Sequence, residues 1–265
     1  MGKSPSATAL AGRALITGGT SGIGLEFARQ LASRGNPLVL VARDGERLER
    51  TCEQLRWRYG VEAEPLAADL TAEEDRLRVA DRLRDEAKPV GILVNNAGMG
   101  LHHPLVTDDV APHRTAMDLM AWCVLELGAA AGLAMAKRGE GIIINTASVS
   151  GLVPMGAYSA LKAWVRVYSD SLYLQLSDSG VHVTTFMPGW VRTEHHARAG
   201  ISTSNIPDFL WLDLEKLVST CLADTAKGKV RSTPSLRYKI ISFAAEHGPK
   251  AAVRAVAKKI NRGRS

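Results

Sequence analysis

Ser148, Tyr158 and Lys162 fall within one stretch, NTASVSGLVPMGAYSALK (Asn145 to Lys162), which carries no other charge. Tyr158 and Lys162 are four residues apart, so on a helix they share a face. An unperturbed tyrosine hydroxyl titrates near pH ~10. A nearby ammonium favours the phenolate and lowers that value. Such a pair can pass a proton near neutral pH while a redox cofactor moves a hydride. Ser148, placed after an apolar run, can hydrogen-bond a substrate oxygen. A Tyr/Lys pair is also consistent with simple helix packing, so its chemistry depends on what lies earlier in the chain.

Earlier lies TGGTSGIG, Thr17 to Gly24. It follows the first apolar run and opens the first helical pattern. Gly18, Gly22 and Gly24 at that turn would let backbone approach a pyrophosphate, and free N–H groups at the helix start would bind its charge. The alternative is a tight strand-to-helix turn with no ligand. Short apolar runs at 14–17, 38–42, 92–95, 142–145 and 181–187 suit strands buried on both faces. Between them lie helical patterns at 23–33, 45–59, 71–86, about 113–137 and about 158–177. The third opens with Thr71 and Glu74, the spacing of a capping box. The alternation predicts a doubly wound α/β fold with helices on both faces.

The glycine turn, NNAG at Asn95 to Gly98, Ser148, Tyr158-x-x-x-Lys162 and Pro188-Gly189 followed by Thr193 stand in the order of the short-chain dehydrogenase/reductase family, which the chain resembles over roughly 12–195. The resemblance implies a Rossmann-like, mainly parallel seven-stranded sheet with a C-terminal helical extension. It implies an oxidoreductase that moves a hydride between NADP(H) and a carbonyl or secondary alcohol. Tyr158 would be the acid/base. Lys162 would lower its pKa and hold the nicotinamide ribose, and Ser148 would polarise the substrate oxygen. Cofactor contacts would come from Gly18, Thr20, Ser21, Gly22, Ile23, Gly24, Arg43, Asp69, Leu70, Asn95, Ala97, Tyr158, Lys162, Pro188, Gly189, Val191 and Thr193. A homodimer or homotetramer would form through the long fourth and fifth helices.

The second strand ends with Ala42 where an acid would bind the adenosine ribose of NAD, and Arg43 follows. A guanidinium suits a 2′-phosphate by charge and by its forked donors. NADP(H) is therefore preferred over NAD(H). Alternatives remain open for several residues. Arg43 could be solvated or paired with Asp44, which would cap the next helix. Asp69 and Asn95 could be turn residues, and Thr193 an N-cap.

Two features depart from the family. Its asparagine in the fourth helix, which supports a water-linked proton relay to the lysine, aligns with Met120. A thioether donates no hydrogen bond and accepts weakly. The loop from Ser148 to Tyr158 is also about three residues shorter than usual. Both motivate an alternative: a dinucleotide-binding sensor or scaffold with weak or no dehydrogenase activity.

Composition adds limits. Net charge is +6. Residues 227–265 hold eleven Lys/Arg and one acid, net +10, while the rest holds 22 against 26, net −4. We expect one catalytic domain over 1–226 and a basic helical extension over 227–265 packed on it. Val253, Val256, Ala257 and Ile260 share a helical face there, so peripheral membrane contact through the basic tail is a second expectation. No recognised motif supports nucleic-acid binding. Three scattered cysteines read as reduced thiols of a cytoplasmic protein. The N-terminus lacks the apolar core of a signal peptide. The uncharged run 141–161 is too polar and glycine-rich to span a bilayer. His102-His103 and His195-His196 lack a ligand cluster, so no metal is expected; they would flank the substrate mouth. Trp190, Phe209 and Trp211 would line an apolar pocket or simply pack.

Overall fold

A computed structural model describes residues 10–191 and 208–262. Seven strands form one sheet in the order β3-β2-β1-β4-β5-β6-β7, every pairing parallel. They are β1 (Arg13–Thr17), β2 (Leu38–Ala42), β3 (Ala63–Ala67), β4 (Val90–Asn95), β5 (Gly141–Thr146), β6 (Val181–Phe186) and β7 (Arg231–Ser232). The helices are α1 (Gly22–Ala32), α2 (Gly45–Tyr59), α3 (Glu73–Arg84), α4 (Ala111–Met117), α5 (Cys123–Arg138), α6 (Ala157–Leu176), α7 (Leu214–Ala226), α8 (Leu236–His247) and α9 (Lys250–Arg262).

Alternation along the strands builds two cores. Ala14, Ile16, Leu38 and Leu40 pack with Phe27 and Leu31 of α1, Leu48 of α2 and Leu222 of α7. Leu15, Val39 and Val41 face the other layer, with Val79 of α3 and Leu127 and Met135 of α5. Each fully buried Leu or Phe side chain contributes about 1.5–3 kcal/mol. Phe27 meets Phe186 edge-on at 5.6 Å between centroids. Arg76 of α3 reaches Glu126 of α5 at 2.7 Å, a largely buried ion pair that sets the two helices against each other.

Several expectations need correction. β3 has the sequence AEPLA, which shows no apolar run, yet it pairs with β2 along its whole length. As an edge strand it tolerates Pro65. β7 has two residues, comes late in the chain and pairs with β6 as the seventh strand. α3 has no capping box. Its N-cap is Ala72, and the Thr71 hydroxyl donates instead to Asp69 Oδ1 at 2.8 Å. The expected helix at 113–137 is interrupted by a π segment, Asp118–Trp122. Among the described residues, the run 111–138 is the one helix apolar and long enough to cross a membrane. Half of its apolar window is buried in the protein, and Leu127, Ala130, Ala131 and Met135 of α5 pack in the second core.

The strand order reverses between β1 and β4. Ligand crevices of open parallel sheets form at that point, beyond the carboxyl ends of the strands.

Candidate active site

At the end of β1, Gly18 has φ +69° and Gly22 φ +51°, both in the region that favours glycine. A Cβ on Gly24 would stand 2.2 Å from the Gly18 carbonyl oxygen and 2.6 Å from Asn96 Nδ2. Only glycine permits this approach of helix to turn. Ser21 caps α1 in extended backbone without a side-chain cap bond, and no acid sits in the first turn. The N–H groups there therefore suit an anion. Thr20 is buried in the turn, while Ser21 and Ile23 are part-buried.

The turn is latched to the end of β4. Thr17 Oγ1 accepts hydrogen bonds from the backbone N–H groups of Asn96 (2.9 Å) and Ala97 (3.0 Å), and Asn96 Nδ2 donates to the Thr17 carbonyl at 3.1 Å. Thr17 and Asn96 were not among the expected site residues. Both lie inside the quoted motifs, so the signal was available. Asn95 is buried, and its amide donates to Asn145 Oδ1 at 2.9 Å. Asn145 in turn donates to Ser169 Oγ of α6 at 3.0 Å. This chain of buried bonds ties β4 and β5 to the helix that carries Tyr158 and Lys162.

Beyond β2, Arg43 is exposed and Asp44 caps α2 by accepting from the Arg47 N–H at 3.0 Å. Asp69 accepts from the Thr71 N–H and hydroxyl. Loss of hydration raises its carboxyl, but the Thr71 bonds and the Arg43 charge outweigh it and hold the group below its ordinary value. Arg43 and Asp69 thus share one corner of the crevice. Leu70 is buried in the core behind them.

Ser148 follows β5 and caps a short 3-10 helix, Val149–Leu152. Its Oγ accepts from the Ser150 N–H (3.1 Å) and the Ser150 hydroxyl (2.9 Å). Its own proton has only a long contact, 3.5 Å, to the Pro188 carbonyl. Ser150 therefore leaves the Ser148 proton available to another oxygen, a role that sequence reasoning missed. The shortened loop is braced at its far end, where the Met155 N–H donates to Ser159 Oγ at 2.8 Å. It also lies flat on α6. A Cβ on Gly151 would be 2.7 Å from backbone atoms of Lys162 and Ala163, which cannot yield. Gly151→Ala is expected to cost about 1–3 kcal/mol of stability, read from urea unfolding. It should also move Ser148 off α6. An unchanged midpoint would contradict the close packing.

Tyr158 packs against the cluster formed by Leu101, Ala116, Met120 and Leu161. Its hydroxyl makes no hydrogen bond to any described residue. The sequence expectation was a phenol lowered by Lys162. Burial instead pushes it up to about 12. The Lys162 ammonium lies 5.8 Å from the ring centroid and donates to the Thr146 carbonyl at 2.7 Å. Burial pushes Lys162 down to about 8. The folded state therefore favours the neutral amine. Below about pH 8 the ammonium bears its full hydration loss, on the order of 3 kcal/mol. That cost fades as pH rises toward the ordinary value of 10.5. The stability of the wild type relative to Lys162→Met should rise across that window, and a flat difference would refute the burial argument.

Met120 sits in the π segment, 1% exposed, with Leu101, Ala116 and Leu161 as neighbours. Its sulfur would be 3.5 Å from a Cβ on Gly98. The thioether fills space between NNAG and Tyr158.

Pro188 and Gly189 form the wall opposite. A Cβ on Gly189 would enter the ring of Tyr238, 2.2 Å from Cζ. The Tyr238 hydroxyl accepts from the Trp190 N–H (3.1 Å) and donates to the Leu210 carbonyl (2.8 Å). Tyr238 of α8 thus fixes this wall from outside the motif region, with no sequence signal. Val191 bridges to Leu212. Trp190 and Trp211 meet edge-on at 6.2 Å, and Phe209 is exposed. Thr193, His195 and His196 lie outside the described residues. His103 bonds the Asp109 carbonyl at 2.8 Å. Among the described residues no three His, Cys, Asp or Glu side chains gather as a metal site.

A family model described as short chain dehydrogenase matches residues 13–202. The chain belongs to the short chain dehydrogenase family. A short-chain dehydrogenase from Sphingobium yanoikuyae, solved with NADPH, is 36% identical and superposes with a TM-score of 0.81 over 88% of this chain and 93% of that one. The bulky-bulky ketone specific alcohol dehydrogenase of Comamonas testosteroni is 33% identical, TM-score 0.77, over 88% and 92%. Very-long-chain 3-oxoacyl-CoA reductase of Anas platyrhynchos is 33% identical over 192 residues, 68% of this chain and 60% of that protein. The chain thus spans about three fifths of that relative's length. Family membership, sheet order and the glycine turn agree on a nicotinamide dinucleotide fold.

Proposed function

We propose that the protein is an NADP(H)-dependent oxidoreductase that interconverts a carbonyl and a secondary alcohol at Ser148, Tyr158 and Lys162. The observation that carries this reading is the part-buried Tyr158 hydroxyl. It has no described hydrogen-bond partner and stands one helical turn from a lysine anchored beside the end of β5. A phenol left open in the crevice, with no partner among the described residues, is available to a ligand oxygen.

The cofactor fits the residues present. The Gly18–Gly24 turn, which a Cβ at 24 would block, would hold the pyrophosphate at the uncapped start of α1. Asp69, Ala97, Pro188, Gly189 and Val191 would frame the adenine and nicotinamide ends. Arg43 supports the choice of NADP(H). A bound nicotinamide would supply the hydride. In the reducing direction, the Ser148 proton hydrogen-bonds the carbonyl oxygen, which polarises the bond. Tyr158 gives its proton to that oxygen as hydride reaches carbon, so C=O becomes CH–OH. Lys162, when protonated, lowers the cost of the phenolate left behind. Two of the named relatives are described as acting on bulky-bulky ketones and very-long-chain 3-oxoacyl-CoA, which supports a carbonyl substrate with an apolar body.

The reading includes a homodimer or homotetramer. Leu133 on α5 and Val167 and Leu174 on α6 are exposed apolar side chains on the helices where the family assembles. It also includes a cytoplasmic location, supported by three free, buried cysteines.

A second reading, a dinucleotide-binding sensor or scaffold, is favoured by Met120, since a buried thioether stands where a relay amide would be. Turnover of a ketone and aldehyde panel with NADPH separates the two readings. Consumption that depends on Tyr158 supports the enzyme, and binding without consumption supports the sensor.

A further inference from the structure

We propose that α8 and the start of α9 form a docking face for an anionic membrane surface. Tyr238, Ser242 and Ala245 mark the face of α8 buried against the protein. Leu236, Ile240, Phe243 and His247 recur at four, three and four residues, so they lie on the opposite face. Leu236, Ile240 and Phe243 are 73%, 62% and 66% exposed. Phe243 stacks on His247 at 4.4 Å between centroids. An apolar stripe of this size on a helix facing water calls for a cover.

Charge identifies the cover. The only acid in 227–265 is Glu246, and it is turned inward to Arg231 (3.2 Å) and Arg166 (3.7 Å). The cations that remain outward include Lys239 on α8 and Lys250, Arg254 and Lys258 on α9, all exposed. Lys250 donates to the Glu246 carbonyl at 3.0 Å, so the basic row of α9 begins where the apolar stripe of α8 ends. A second copy meeting this face would bring like charges together, whereas an anionic bilayer matches both the charge and the apolar row.

The location differs from that expected of the tail alone. Ala257 is buried and Val253 half-buried, so these two members of the expected apolar face of α9 are packed in the protein. The insertable side chains belong to α8, and α9 supplies charge.

The test is co-sedimentation of the full chain with vesicles of phosphatidylcholine alone or with about 30% phosphatidylserine. Binding should require phosphatidylserine and fall at least about tenfold when salt rises from about 0.1 to 0.5 M. Ile240→Asp with Phe243→Asp, and separately Lys250→Glu with Arg254→Glu, should each reduce binding at least about tenfold. Circular dichroism and ketone turnover, which these residues do not touch, should stay unchanged. Absence from the anionic pellet, equal binding to neutral vesicles, or full binding by either variant overturns the proposal. So does a shift to smaller mass in sedimentation velocity caused by the stripe variant, which would assign the face to a second copy.

Discussion

Tyr158→Phe is expected to abolish turnover, lowering kcat by at least about a thousandfold, while the dissociation constant for NADPH changes less than about threefold. The substitution removes one oxygen and leaves the ring against the cluster that holds Met120 and Leu161. General acid–base groups contribute about 10²–10⁴ in rate. Burial holds the phenol in its protonated form, at about 12. It therefore remains a donor throughout neutral pH. Steady-state NADPH consumption, with cofactor binding followed by fluorescence, makes the measurement. Retained turnover in the phenylalanine variant would end the Ser-Tyr-Lys reading.

Arg43→Ala is the second large effect. Charge-assisted bonds from a guanidinium to a phosphate contribute about 1.5–3 kcal/mol. The residue is exposed at the end of β2, where solvent screening reduces that figure. We expect kcat/KM for NADPH to fall about five- to thirtyfold and that for NADH to change less than threefold. The nearby Asp69 carboxyl, which feels the Arg43 charge, should gain a proton more readily in the variant. Equal losses with both cofactors would show that Arg43 supports the fold of the corner and does not select the 2′-phosphate.

These two residues illustrate how the sequence could be read. Their positions follow from local rules. Arg43 comes directly after an apolar run, and Tyr158 and Lys162 share a face because a helix turns every 3.6 residues. The glycine turn is legible for the same reason. The Gly24 contact with Gly18 spans six residues, and positive φ at Gly18 and Gly22 restricts the residue type on the spot. β3 was not legible, because an edge strand needs less apolar surface than a central one and can carry Glu64 and Pro65. The π segment in the long helix left no trace either, since apolar periodicity drifts little over five residues.

The sequence by itself determined most of the alternating elements, the glycine turn after the first strand and the Tyr–Lys spacing. All depend on interactions between residues a few positions apart. Only the tertiary structure decided that Tyr238 closes the wall at Gly189, that Thr17 latches Asn96, that Ser150 orients Ser148, and that Tyr158 is raised in pKa where a lowered one was expected. Contacts across 48 or 79 residues, and the water a side chain loses, depend on how the layers pack, and neither is encoded in local spacing.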